Sequence, residues 1–286
     1  MIAQELDRSS ATYCLSTKHP PGPVGRRVVA EIAPGEPYRL MDVVDFPGGD
    51  VPAGLCQNSS RVKGWTDHPC ITNILKFEWA QDGSYSQIID LAPGAFPFAT
   101  LKASERWSGK QLWRVASMLA SALEHMHRAE LVHSALAPET IYQESANVRI
   151  GDFWWAHNAD GEPAFDRWSN HLDPAVWPEF LLPFMAPEML QGAPPSRMSD
   201  IYSLGAVIYF LLTGRSPRQS SRQSNLSRRS ELAGAKVQPL IELRPDVGRK
   251  AASFIDQQLS DDPNQRPTIH LIESMYQHLA GMLSDY

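Results

Sequence analysis

The reading turns on residues 131–141, LVHSALAPETI, and on the stretches that follow them. These are VRIGDFWWA at 148–156, FMAPEML at 184–190, SDIYSLG at 199–205 and DPNQRPT at 262–268. Just before the first lies Gln111–Arg128, where Leu112, Val115, Leu119, Ala122, Leu123 and Met126 fall on one stripe of a helix. Ser199–Thr213 is apolar nearly all round, the pattern of a buried central helix, and Gly214 and Pro217 stop it. Phe254–Leu259 and Ile269–Leu283 read as two more helices. Toward the N-terminus the period changes. Arg26–Ile32, Tyr38–Val44, Ile71–Trp79 and Tyr85–Asp90 are short β-rich runs, separated by Pro34-Gly35, Pro47-Gly48-Gly49 and Asp82-Gly83. Asp82-Gly83 between two apolar runs is a hairpin signal. The pattern predicts an α+β chain, with a small antiparallel sheet followed by a larger helical part.

In order and spacing these stretches resemble the protein-kinase family. LVHSALAPETI resembles the catalytic loop H-R-D-L-K-P-x-N, VRIGDFWWA the strand carrying D-F-G, and FMAPEML the A-P-E segment. SDIYSLG and DPNQRPT resemble the buried helix after it and the late arginine. His68-Pro69-Cys70-Ile71 resembles H-P-N-I, and Ile88–Gly94 the inter-lobe hinge. The resemblance covers roughly residues 25–280. It implies a bilobal fold: an extension over residues 1–24, a β-rich N-lobe over 25–92 and a mainly helical C-lobe over 93–286, with a flexible Arg/Ser-rich insert at 215–230.

The departures from the family are concentrated on chemistry. Phosphoryl transfer needs a lysine on the phosphates, an Asp and an Asn on the metals, and a carboxylate for the hydroxyl proton. By the resemblance, Ala135 stands at the proton acceptor, Ala137 at the loop lysine and Thr140 at the metal-holding Asn. Trp154 replaces the glycine of D-F-G, whose backbone freedom an indole lacks. Asp42 or Met41 falls on the lysine position, and Asp42 would repel a phosphate. Leu40 or Arg39 fills the adenine space, and Pro20–Gly25 is a poor phosphate loop because its prolines remove donors. Ala53–Trp65 holds no acidic residue to partner a lysine, and Lys63 or Lys76 is a surface lysine before it is a substitute. Asp152 is the one candidate for a metal–nucleotide ligand, and its alternative is a loop aspartate bonded to nearby amides.

Residues that the resemblance assigns to structure are kept: the Glu188–Arg266 pair, Asp200 under the catalytic loop, and His133 and Phe153 in the internal stack. Asp152–Glu188 is rich in aromatic rings and carries one hydroxyl residue, Ser169, with Leu181 at the substrate-facing position. Those rings either fold into the cleft or form a partner surface around Trp155, Trp168 and Trp177. The expectation is therefore a pseudokinase, no enzyme, with no catalytic residue, metal or cofactor, acting as a scaffold or allosteric regulator that binds a signalling protein. Two alternatives stay open: a nucleotide sensor that binds ATP or ADP without turnover, and a weak, unorthodox phosphotransferase using Asp152.

Composition bounds these readings. The chain has 286 residues, 43% apolar and 20% charged, with a net charge of −6. That suits one large or two small domains, and a core rather than disorder. The acidic balance argues against a nucleic-acid partner, and no small-molecule substrate is expected. The run Leu204–Thr213 is too short to span a bilayer. No leader is apparent, and the odd, dispersed Cys14, Cys56 and Cys70 suit a reducing compartment, so the expected location is cytoplasmic. Arg215–Ser230 holds five arginines and six serines, which reads as a solvated loop; Arg228-Arg229-Ser230 also resembles a basophilic phosphorylation target.

Overall fold

The computed structural model describes residues 26–30, 39–45, 67–79, 84–101, 109–158, 178–221 and 225–282. Pro20–Gly25, Ala53–Trp65 with Lys63, Asp82-Gly83, Trp168, Ser169, Trp177, Cys14 and Cys56 lie outside the described residues. The N-terminal part is a four-stranded antiparallel sheet: β1 (Arg26–Ala30), β2 (Arg39–Asp45), β3 (Ile74–Trp79) and β4 (Ser84–Ile89), in the order β1-β2-β4-β3. Strands β3 and β4 pair as the flanks of Asp82-Gly83 require, with Trp79 opposite Tyr85.

Ile71–Asn73 does not extend β3 as the apolar run suggests. Its backbone leaves the sheet and ties the two parts together. The Thr72 amide donates to the Ile150 carbonyl at 2.8 Å, and the Ile150 amide donates to the Cys70 carbonyl at 2.8 Å. The physical reason is burial: Cys70, Ile71 and Thr72 are sunk in the junction, whereas Leu75 is exposed.

The helical part hangs on two long helices. In α1 (Lys110–Arg128) the stripe Leu112, Leu119, Leu123 and Met126 is buried. Helix α2 is the single turn Pro187–Leu190. The central α3 (Arg197–Thr213) is buried on nearly every side, as its unbroken apolar sequence demands. It starts two residues before Ser199 because Ser196 caps it: Ser196 and Ser199 each accept from the other's backbone amide. Gly214, at φ 80°, ends it in the left-handed conformation. Gly205 lies where a Cβ would come within 2.8 Å of Gln258 Cβ, so only glycine lets α6 (Arg249–Gln258), which follows the single turn α5 (Leu240–Leu243), approach. Helix α7 (Ile269–Met282) packs along α1, with Tyr276 buried against Trp113.

The solvated-loop reading of residues 215–230 is corrected. Asn225–Gly234 forms helix α4, and the last six residues of the stretch lie within it. Arg218 and Arg229 are buried, not solvated. The Arg218 guanidinium donates to the carbonyls of Leu232, Ala233 and Ala235 at 2.8, 3.0 and 2.6 Å, and to the Tyr202 hydroxyl at 2.7 Å. It also pairs with Asp261. Arg229 donates to the carbonyls of Met189 and Leu190 at 3.3 and 3.0 Å. Each arginine adds donors to carbonyls at a helix end, which is why charge can sit inside here. Among the described residues no helix is long and apolar enough to cross a membrane.

Candidate functional site

Two short pieces frame the site: β6 (Leu131–Val132), which leads into the loop 133–140, and the hairpin of β7 (Ile141–Glu144) and β8 (Asn147–Ile150), edged by the short β5 (Phe96–Pro97), which delivers Asp152. Asp200, near the start of α3, holds the loop from below. Its carboxylate accepts the backbone amides of His133 and Ser134, both at 2.8 Å, and meets His127 Nε2 at 3.0 Å. Asp200 is almost fully buried, so these donors replace the water it lost. Ser134 takes a left-handed backbone at φ 68° to present its amide.

The loop's own polar groups turn inward. His133 is fully buried. Its Nε2 faces the Gly151 carbonyl at 2.8 Å and donates to it, which leaves Nδ1 to accept from the Ala135 amide at 3.3 Å. Burial holds the His133 pKa below 6.5, against the opposing pull of Asp200 and the Gly151 bond. The ring meets Phe153 edge-on at 5.2 Å. Ala135 is 2% exposed, and Ala137 and Thr140 are 0% exposed. The Thr140 hydroxyl lies 2.9 Å from the Ala135 carbonyl and 3.1 Å from that of Ala137, and it accepts the Ala137 amide at 3.1 Å. Thr140 therefore closes the loop on itself. Beside it, burial pushes the Glu139 carboxyl up to about 7.

Asp152 sits in a left-handed conformation (φ 60°, ψ 53°) and is 5% exposed. The buried Tyr142 donates its hydroxyl to Asp152 Oδ2. Between them Gly151 lacks a side chain for cause: a Cβ would come within 3.0 Å of Thr72 Oγ1 and 3.1 Å of Tyr142 Cε2. A kinase-like fold implies a metal–nucleotide at this aspartate. Among the described residues the groups around it do not fit one. Asp152 Oδ2 is taken by a phenol, Thr140 faces the backbone, and Ala135 and Ala137 offer methyl groups. The one group of three metal-capable side chains among the described residues is Glu124, His270 and Glu273, between α1 and α7 and apart from this loop.

Asp42 is on β2, opposite Arg27 and Gln87. Trp154 and Trp155 lie in a single 3-10 turn after Asp152, and Trp155 packs partly against the core. Leu181 is buried in that core. Glu188 and Arg266 form a two-pronged ion pair at 2.7 and 2.8 Å.

Sequence reasoning missed three features. Tyr142 on Asp152 is one. A second is the hinge residue Asp90, which pairs with Arg39 of β2 at 3.2 Å and Arg149 of β8 at 3.1 Å, so one carboxylate joins both parts. The third is a groove of about 540 Å³ between α2 and α4, lined by Leu190, Gln191, Gly192, Arg229 and Ser230. Of these signals, only the pairing of Ile141 with Ile150 could have been sought, since it brings residue 142 back toward 152.

A model of the protein kinase domain matches residues 59–279. Aurora/IPL1-related protein kinase 2 of Caenorhabditis elegans is 25% identical over 225 residues, 78% of this chain and 67% of that protein. Aurora kinase A-A of Xenopus laevis is 28% identical over 204 residues, 70% of this chain and 45% of its own length. This chain thus spans less than half of the second relative. The crystal structure of a double mutant of the Mycobacterium tuberculosis PknI kinase domain superposes with a TM-score of 0.69 at 16% identity, covering 98% of this chain and 100% of that one. It shares the bilobal α+β fold. These findings correct the expectation that the chain is no enzyme: its relatives are named kinases, and the kinship points to an enzyme. With its family model spanning most of the sequence, the chain belongs to the protein kinase domain family.

Proposed function

We propose that this kinase-family domain acts in signalling by binding a protein partner, as a scaffold or allosteric regulator, beside any phosphoryl transfer its kinship implies. One observation carries the reading: the loop 133–140 is held by Asp200 and closed by Thr140, with Ala135, Ala137 and Thr140 at most 2% exposed. Such a loop preserves shape while aiming no charged side chain outward from those three positions. The partner surface is the groove between α2 and α4 together with the exposed part of Trp155. Its lining mixes apolar Leu190 and Ala233 with polar Gln191, Arg229 and Ser230, which suits a protein ligand. The odd, dispersed cysteines of the sequence support a reducing, cytoplasmic setting as part of this reading.

The second reading is a phosphotransferase working through Asp152, which the relatives' names favour. One experiment separates the two. Affinity capture from the native cells is quantified for the wild type, Ser230→Arg in the groove, and Asp152→Ala, alongside labelled-phosphate transfer by each. A partner retained by Asp152→Ala and lost by Ser230→Arg supports binding. Transfer that disappears in Asp152→Ala, with partner recovery unchanged in Ser230→Arg, overturns it in favour of the enzyme. A thermal shift with ATP or ADP and no transfer would instead support a nucleotide sensor.

A further inference from the structure

The disagreement at Asp152 has a specific cause. We infer that Tyr142 is a built-in competitor for cations: its hydroxyl occupies the carboxylate oxygen of Asp152 that a divalent ion would take. Three observations support this assignment. The phenol donates directly to Asp152 Oδ2. Both residues are buried, at 1% and 5% exposure, so water is a poor substitute donor for either. The contact is also prepared by the backbone: Gly151 leaves room for the Tyr142 ring, and the Gly151 amide is anchored on the Thr140 carbonyl at 2.9 Å. The assignment is independent of whether the domain works by binding or by transfer.

A hydrogen bond to an ionised carboxylate is stronger than a neutral one, so the Tyr142 hydroxyl competes directly with a cation for that oxygen. A cation must displace the Tyr142 proton donor to reach Oδ2 in the wild type, but not in Tyr142→Phe. Removing the hydroxyl keeps the ring that packs on Gly151.

The test is a titration of the full chain with Mn²⁺ alone, followed by electron paramagnetic resonance of free Mn²⁺, for wild type, Tyr142→Phe and the double variant Tyr142→Phe/Asp152→Asn. The expected result is a gain in Mn²⁺ affinity of about tenfold or more in Tyr142→Phe, abolished in the double variant. Circular dichroism establishes that each variant is folded; if the Phe variant is not, Tyr142→Leu is subject to the same comparison. The wild type supplies a readout free of mutation. Its buried Tyr142 hydroxyl proton is expected to exchange slowly and to persist in the NMR spectrum when Mg²⁺ is added. Equal Mn²⁺ affinities in wild type and Tyr142→Phe, a gain that survives Asp152→Asn, or loss of the hydroxyl proton at low Mg²⁺ would each overturn the assignment.

Discussion

Arg266 reaches 78 residues back in sequence to grip both carboxylate oxygens of Glu188, at 2.7 and 2.8 Å. The arginine side chain is 0% exposed and the glutamate's 20%. Arg266 also donates to the carbonyls of Ser260 and Met198 and lies 5.2 Å from the Tyr202 ring centre. One buried guanidinium thus fastens α2 to the start of α3 and to the turn after α6. Removing one member of a buried pair costs about 3–5 kcal/mol, because the survivor is left uncompensated. Arg266→Ala is expected to lose that much in urea unfolding, and Glu188→Gln a comparable amount, since it leaves the fully buried guanidinium without its counter-charge. A loss under about 1 kcal/mol in either variant, the scale of an exposed pair, would contradict this account.

Asp200 supports the loop through two backbone amides at once. Asp200→Ala orphans both, at about 1–3 kcal/mol for each. Asp200→Asn keeps an acceptor oxygen for one. Amide exchange at His133 and Ser134 is the direct readout: it should accelerate strongly in the Ala variant and partly in the Asn variant. Unchanged protection would mean the loop is held by something else.

Glu139 gives the stability a pH signature. Burial pushes its folded-state pKa up to about 7, from 4.5 in an ordinary setting. Between those values the folded chain holds a proton that the unfolded chain has released. Stability from this group therefore falls as pH rises from about 4.5 to about 7, and stays level above that. Glu139→Gln mimics the protonated form. It is expected to outlast the wild type at pH above 7 and to match it near pH 4, measured as urea midpoints across the range. A difference between the two proteins that does not change with pH would contradict the assignment.

Arg218 anchors the C-terminal end of α4 by donating to three carbonyls, of Leu232, Ala233 and Ala235. Its ionic partner Asp261 is 76% exposed and is expected to matter little. Arg218→Ala should destabilise the domain by about 1–3 kcal/mol and open α4 locally, whereas Asp261→Asn should be nearly silent. Hydrogen exchange over residues 225–235 distinguishes the two.

Much of this fold is written in short-range pattern. The stripe of α1, the unbroken apolar run of α3 and the alternation around Asp82-Gly83 each follow from local periodicity, and each element forms within a few residues of where the pattern puts it. What pattern cannot show is a long-range donor. Residues 215–230 look solvated because composition registers five arginines but not the carbonyls that receive Arg218 and Arg229. Ile71 looks like strand because nothing local reveals that Ile150 will bond its neighbours. At the site, motif spacing singles out Ala135, Thr140 and Asp152. The Tyr142 bond escapes it because hydroxyl and carboxylate meet only once the β7–β8 hairpin has closed.

The most direct test of the proposed role is genetic rescue in the native host. Cells lacking the chain are given wild type, Asp152→Ala or the groove variant Ser230→Arg at matched abundance. The partner-binding account predicts that Asp152→Ala restores the wild-type phenotype while Ser230→Arg does not. Failure of Asp152→Ala to rescue, with full rescue by Ser230→Arg, would contradict it.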